Sequence, residues 1–192
     1  MTLLAPHAPA PAPAGPAPAG PERLIPRGVV HLLAAGAACA VWAAAVWTAP
    51  HVHADPLLHR VALFAHLACL LVGFGAVLTV DWIGALWLMG RRTLGDVLST
   101  AGAVHLPIWG GLVGLTASGV FLHPDTGSTL TQVKLALVLL VALNGVHAMA
   151  LHRRLLDHRA SRPLLARCAA SVLLSQAGWW GATGIGFLNS SA

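Results

Sequence analysis

Charge is what this sequence has least of. Asp, Glu, Lys and Arg make up 9% of its 192 residues, and hydrophobic residues make up 57%. A soluble domain is about a quarter charged. A water-facing surface cannot be built from so few charges, so lipid is the solvent this composition calls for. Cysteine is also scarce. Cys39, Cys69 and Cys168 stand alone, without a CxxC, in or beside apolar runs. They read as small packing residues and carry no message about redox compartment. There are three methionines, one of them Met1. That is thin for copper(I) trafficking, which leans on soft sulfur ligands. There is no GxSxG, no HExxH, no clear carboxylate pair and no glycine loop leading into a lysine. Hydrolytic and phosphoryl-transfer chemistry therefore lack their usual parts. No inverted repeat is visible, so a secondary transporter of repeat design has no support either.

The net charge of +5 could point to nucleic acid, but its placement does not. The arginines sit at the ends of apolar runs, which is a topology signal and not a phosphate-binding face. The runs predict an all-α, polytopic integral membrane protein with five transmembrane helices in a bundle. The expected spans are 28–49, 61–84, 97–122, 133–151 and 164–187, together a transmembrane domain over 27–189. Each can cross a hydrocarbon core of about 30 Å at about 1.5 Å per residue. Residues 1–26 form a Pro/Ala-rich tract with PAPAPAGPAPAGP at its heart. Alternating proline blocks both helix and sheet, so a disordered or polyproline tail is expected, and it lacks the pattern of a signal peptide.

Threading five spans sorts the cations. Arg23, Arg27, Arg91, Arg92, Arg153, Arg154, Arg159, Arg162 and Arg167 fall on one side, and only Arg60 and Lys134 on the other. The positive-inside rule then places the N-terminus in the cytoplasm and the C-terminus outside. Trp42 and Trp47 mark the far end of the first span as belt residues. Pro107 withholds a donor from the carbonyl of Ala103, which predicts a kink in the third span. The run beyond Asp81 to Met89 predicts either a long tilted second helix or an interfacial segment. Small-residue stripes recur at Gly36/Ala40/Ala44, Gly110/Gly114/Ser118 and Gly178/Ala182/Gly186. Such stripes let helices approach closely. They offer more packing surface than one bundle needs, which leaves room for a homodimer or a partner membrane subunit.

Ionisable residues inside a span are functional candidates by default, because lipid makes them costly. With this threading the histidines form two layers. The inner layer holds His105 and His147, each about 7 Å to the cytoplasmic side of its span centre. Asn144 shares the face of His147, and His31 and Asp81 join the same layer. Three readings stay open for it. Haem b needs two facing imidazoles at equal depth, although neighbouring helix axes about 8–10 Å apart leave little room for a porphyrin. Imidazole also suits copper or zinc. The plainest reading is a set of interhelical hydrogen bonds. The outer layer holds His66 and His123 with the loop residues His51, His53 and His59, and these could collect Cu(II) or Zn.

One stretch carries a likeness. TASGVFL closes the third span, KLALVLLVALNGVHAMALHRRL forms the fourth, and LLARCAASVLLSQAGWWGATGIG forms the last. From about residue 98 to 187 this resembles the CopD-type membrane domain of bacterial copper-resistance proteins. The resemblance implies an inner-membrane, non-enzymatic protein of copper uptake or homeostasis, and it carries over no ligand residue. A second likeness, through paired histidines in a helical bundle, is to small b561-like membrane cytochromes.

Overall fold

A computed structural model describes residues 26–158 and 160–190, so the expected tail over 1–26 lies, apart from Pro26, outside the described residues. The described chain is all helical. Its helices are α1 (Arg27–Thr48), α2 (Pro56–Leu88), α3 (Leu94–Ala103), α4 (His105–Gly119), α5 (Thr129–Asp157) and α6 (Arg162–Ser190), with short 3₁₀ turns at Ala49–His51 and Val120–Leu122.

Four segments are long and apolar enough to cross a membrane: Gly28–His51, Pro56–Leu88, His105–Leu122 and Thr129–Asp157. The exterior matches this. Leu71 is 76% exposed, Leu106 79% and Phe64 75%. Large apolar side chains spread over the whole outer surface are what a bilayer, not water, would cover. The fifth expected span, 164–187, is present as α6, at 29 residues. It is not among the four apolar segments, because Ser171, Ser175, Gln176 and several glycines dilute its hydrophobic run.

Local sequence explains the helix ends. Asp55 caps α2 by accepting from the amides of Leu57 and Leu58 at 2.8 and 2.9 Å, and Pro56 occupies the first position, where no amide is missed. At the other end Gly90 takes φ +72. The amide of Arg91 bonds to Leu86 O and that of Gly90 to Trp87 O, closing a Schellman turn. Between these signals α2 runs for 33 residues, or about 50 Å at about 1.5 Å each. The stretch after Asp81 therefore continues as one long helix and is not a separate interfacial segment.

The third span differs from expectation. The helix breaks at Val104, and the membrane-crossing part begins at His105 and not at residue 97. The cause is Pro107, whose ring cannot sit above the Ala103 carbonyl and brings no amide to it. The chain stops α3 with the Val104 amide on Thr100 O and restarts with the Ile108 amide on Val104 O. Residues 94–103 become a separate helix with a capping box between Thr93 and Asp96. The Thr93 amide and hydroxyl hold the Asp96 carboxyl below the usual carboxylate range.

The bundle is built from two antiparallel pairs. In the first, α2 lies on α4, and the Cα atoms of Gly73 and Gly111 face each other so closely that a Cβ on Gly111 would come 2.5 Å from Gly73 Cα and 2.8 Å from Cys69 O. In the second, α5 lies on α6, where Gly178 admits the Val141 side chain and Gly181 admits Leu137. The pairs meet at a core of Phe74, Val77, Leu112, Val141, Ala142 and Trp179. Phe74 stacks on Trp179 with centroids 5.4 Å apart and meets Trp180 edge-on at 5.0 Å. Helix α1 lies outside, against α5, with the Trp42 indole donating to Leu135 O at 2.9 Å. That side chain is thus an interhelical tie as well as a ring near the span end.

Not every small-residue stripe is used. Gly114 and Ser118 do face α2, but the closest approach comes from Gly111, and Gly110 has open space around it. The α1 stripe of Gly36, Ala40 and Ala44 is exposed. Replacing Gly111 with valine should destabilise the bundle by about 1–3 kcal/mol, since backbone has to move. Gly110→Ala should be neutral or stabilising by up to about 1 kcal/mol, from helix propensity alone. Thermal unfolding of the two variants in one detergent, followed by circular dichroism, checks the contrast.

Candidate functional site

The inner layer does not assemble as the spacing implied. Asn144 is buried and spent on α6: its Nδ2 donates to Ser171 O at 2.8 Å and its Oδ1 accepts from Ser171 Oγ at 2.9 Å. His147, three residues on, is exposed. The two adjoin on the helix surface, about 60° apart, but the α5–α6 contact covers only the Asn144 side. His105 opens α4 half-buried, with its ring edge-on to Trp109 at 6.3 Å. His152, which the sequence hides inside the basic run HRR, is half-buried on α5 within electrostatic reach of His105. His31 is half-buried on α1. A porphyrin enclosed between helices needs both axial histidines turned inward. An exposed His147 does not suit that arrangement.

Asp81 belongs instead to a chain of polar side chains. Gln176 Nε2 donates to Asp81 Oδ2, and Gln176 Oε1 accepts from Trp180 Nε1 at 2.9 Å. This ties α2 to α6 on the far side of the aromatic core from Ser118. Gln176 and Ser171 gave no motif in the sequence. Their signal is that they are polar residues inside an otherwise apolar helix.

The outer layer comes together only in part. His59 Nδ1 donates to Phe121 O at 3.3 Å, and the Ala54 amide donates to His123 Nε2 at 3.1 Å. The two rings stack, 5.7 Å apart and within 9° of parallel. His123 takes φ +48, a left-handed conformation that costs a residue with a Cβ about 1–2 kcal/mol. The stack and the Ala54 bond help hold it there. His51 bonds back to Trp47 O at 2.7 Å and stacks on that indole at 4.7 Å. His53 is exposed. His66 lies two turns further along α2 than His59, with its Nδ1 3.0 Å from Ser118 Oγ.

The donor atoms decide what this mouth can do. His59 uses Nδ1–H on a carbonyl, so its Nε2 keeps a lone pair. His123 accepts at Nε2, so in the neutral ring its proton is on Nδ1. Parallel stacked rings aim their nitrogens side by side and not at one point. Among the described residues no three His, Cys, Asp or Glu side chains converge as a metal cage. At the opposite end of the bundle Arg154, His158 and Arg167 line a shallow groove. The chain matches no protein-family model, no curated protein and no solved structure.

Removing the Asn144 clip tests how far α6 depends on it. Interhelical hydrogen bonds in membranes average about 0.6 kcal/mol and reach about 1.7. Asn144→Ala should cost at the upper end of that range, since it strands the Ser171 hydroxyl in the core. His147→Ala, at an exposed position, should cost less than about 0.5 kcal/mol. Unfolding of both variants in mild detergent gives the comparison.

Proposed function

We propose that this is a five-span inner-membrane protein that handles copper, or a similar transition-metal ion, at its histidine-bearing outer end, in the manner of a CopD-type domain. Helix α6 serves as the fifth span. It is 29 residues long, about 44 Å at about 1.5 Å per residue, and runs antiparallel to α5 along its length. Its Ser171 and Gln176 side chains meet partners on α5 and α2 instead of lipid, which lowers the cost that its low hydropathy would otherwise signal. The segregation of nine arginines from Arg60 and Lys134 supports a cytoplasmic N-terminus and an external C-terminus.

The observation that carries the metal reading is the meeting of His59 and His123, from distant parts of the chain, beside the loop that holds His51 and His53. The His59 Nε2 lone pair is free and that of His123 is held only by the Ala54 amide, and imidazoles at the mouth of a bundle suit Cu(II) or Zn as arriving cargo. The rings would have to leave their stack to converge on an ion.

Titration of the detergent-purified chain with Cu(II), followed by electron paramagnetic resonance, tests this. A saturable nitrogen-ligated signal is expected, and it should disappear in the His59→Ala/His123→Ala double variant while the melting temperature stays within about 4 °C. Equal binding by wild type and double variant contradicts the proposal. The reduced-minus-oxidised visible spectrum of the same sample is expected to be flat; a sharp haem α-band would replace this reading with that of a b-type cytochrome.

A further inference from the structure

One intramembrane cation is left without a role by the reading above. Of the eleven lysines and arginines, ten are arginine and one is lysine, Lys134. The arginines cluster at helix ends and loops. Lys134 lies inside α5, five residues past its start at Thr129, about 7–8 Å along the axis. It is half-buried. Its Nζ sits 3.5 Å from where a Cβ would stand on Gly186 of α6. The ammonium thus lies against α6 at Gly186. Lys134 is also near enough to His66 of α2 for its charge to act on that imidazole.

Among the described residues no carboxylate pairs with Lys134. Asp81 is committed to Gln176, and it is 15 positions further along α2 than His66, or about 22 Å by helical rise. Asp55 is spent on capping α2 and Asp125 on the Gly127 amide. The Ser118 hydroxyl donates to Gly114 O at 2.6 Å, so it accepts from His66 Nδ1–H. An imidazole is either neutral or cationic, so His66 cannot serve as the lysine's counter-ion. One turn along α6 from Gly186, Thr183 Oγ1 is buried with no hydrogen-bond partner in the structure. Positions three apart adjoin on one helix face.

A lone buried ammonium is costly unless an anion joins it. We infer that Lys134, against Gly186 and the Thr183 hydroxyl one turn away on α6, forms a site for a phosphate oxyanion in the outer half of the bundle. The depth suits two sources of that chemistry: the headgroup phosphate of an anionic lipid in the outer leaflet, or free phosphate. A lysine takes phosphate as a compact point charge and needs no bidentate fork. The site is separate from the His59–His123 mouth and does not depend on the copper reading.

Because Lys134 is the sole lysine, the unmodified chain supplies its own probe. The full chain would be treated with an amine-acylating reagent, and the Lys134 peptide quantified by mass spectrometry, at constant ionic strength. Three samples are compared against a chloride control in neutral detergent: added inorganic phosphate, phosphatidylglycerol nanodiscs, and phosphatidylcholine nanodiscs. Protection scales as 1 + [L]/Kd, so labelling should slow about tenfold at about ten times Kd. Protection by inorganic phosphate identifies a free-anion site. Protection by phosphatidylglycerol but not by phosphatidylcholine or free phosphate identifies a lipid headgroup site. Equal labelling in all samples overturns the inference, and so does equal protection by both lipids, which is plain occlusion of a snorkelling lysine. A Lys134 that never reacts is sealed from any ligand and overturns it too. A thermal shift with the protecting ligand should persist in Lys134→Arg and vanish in Lys134→Met.

Discussion

Everything in this bundle depends on how closely α2 and α4 approach at Gly73 and Gly111. In lipid there is no hydrophobic drive to push two apolar helices together, since the tails outside are as apolar as the side chains between them. Contact has to come from backbone proximity and from polar ties. The glycine pair supplies the first. It brings Ser118 within reach of His66 and sets Leu112 against Phe74, and Phe74 in turn presents its faces to Trp179 and Trp180. The second pair, α5 and α6, repeats the device with Gly178 under Val141 and adds the reciprocal Asn144–Ser171 bonds.

This packing puts the polar groups in two tiers on either side of an aromatic layer. On the arginine-rich side stand Asn144–Ser171 and Asp81–Gln176–Trp180. On the other stand His66–Ser118 and Lys134, with the His59–His123 stack above them. The first tier is closed, because each of those side chains has a hydrogen-bond partner in the set, and Asn144–Ser171 and Asp81–Gln176 join neighbouring helices. The second is not, because an ammonium and an imidazole of like tendency share it without a carboxylate. That difference is why chemistry is assigned to the outer tier and cohesion to the inner one.

Much of this was legible beforehand, in proportion to how local the cause was. The apolar runs announced the helices, although α2 begins earlier than the expected 61–84, behind the Asp55 cap, and runs on to the Gly90 turn. Pro107 announced a disturbance, but whether it kinks or breaks a helix depends on what the next turn can do. Here the Thr93–Asp96 box stabilises residues 94–103 as a helix of their own. Rotation about a helix was less legible. Asn144 and His147 are three apart, and only the position of α6 decides that one is buried and the other exposed. The gathering of His59 with His123, and of Lys134 with His66, joins residues on different helices. No spacing rule reaches across that distance.

The account rests most heavily on α6 crossing the membrane, since the inner tier, the Lys134–Gly186 contact and the orientation all require it. The direct measurement is the sidedness of the two termini in cells, read with an epitope tag at each end and proteolysis of intact and permeabilised spheroplasts. Five spans predict opposite sides: the N-terminal tag protected until the cells are permeabilised, and the C-terminal tag cleaved from outside. Both tags on one side would mean an even number of crossings. Helix α6 would then lie outside the bilayer, and the five-helix arrangement would be wrong.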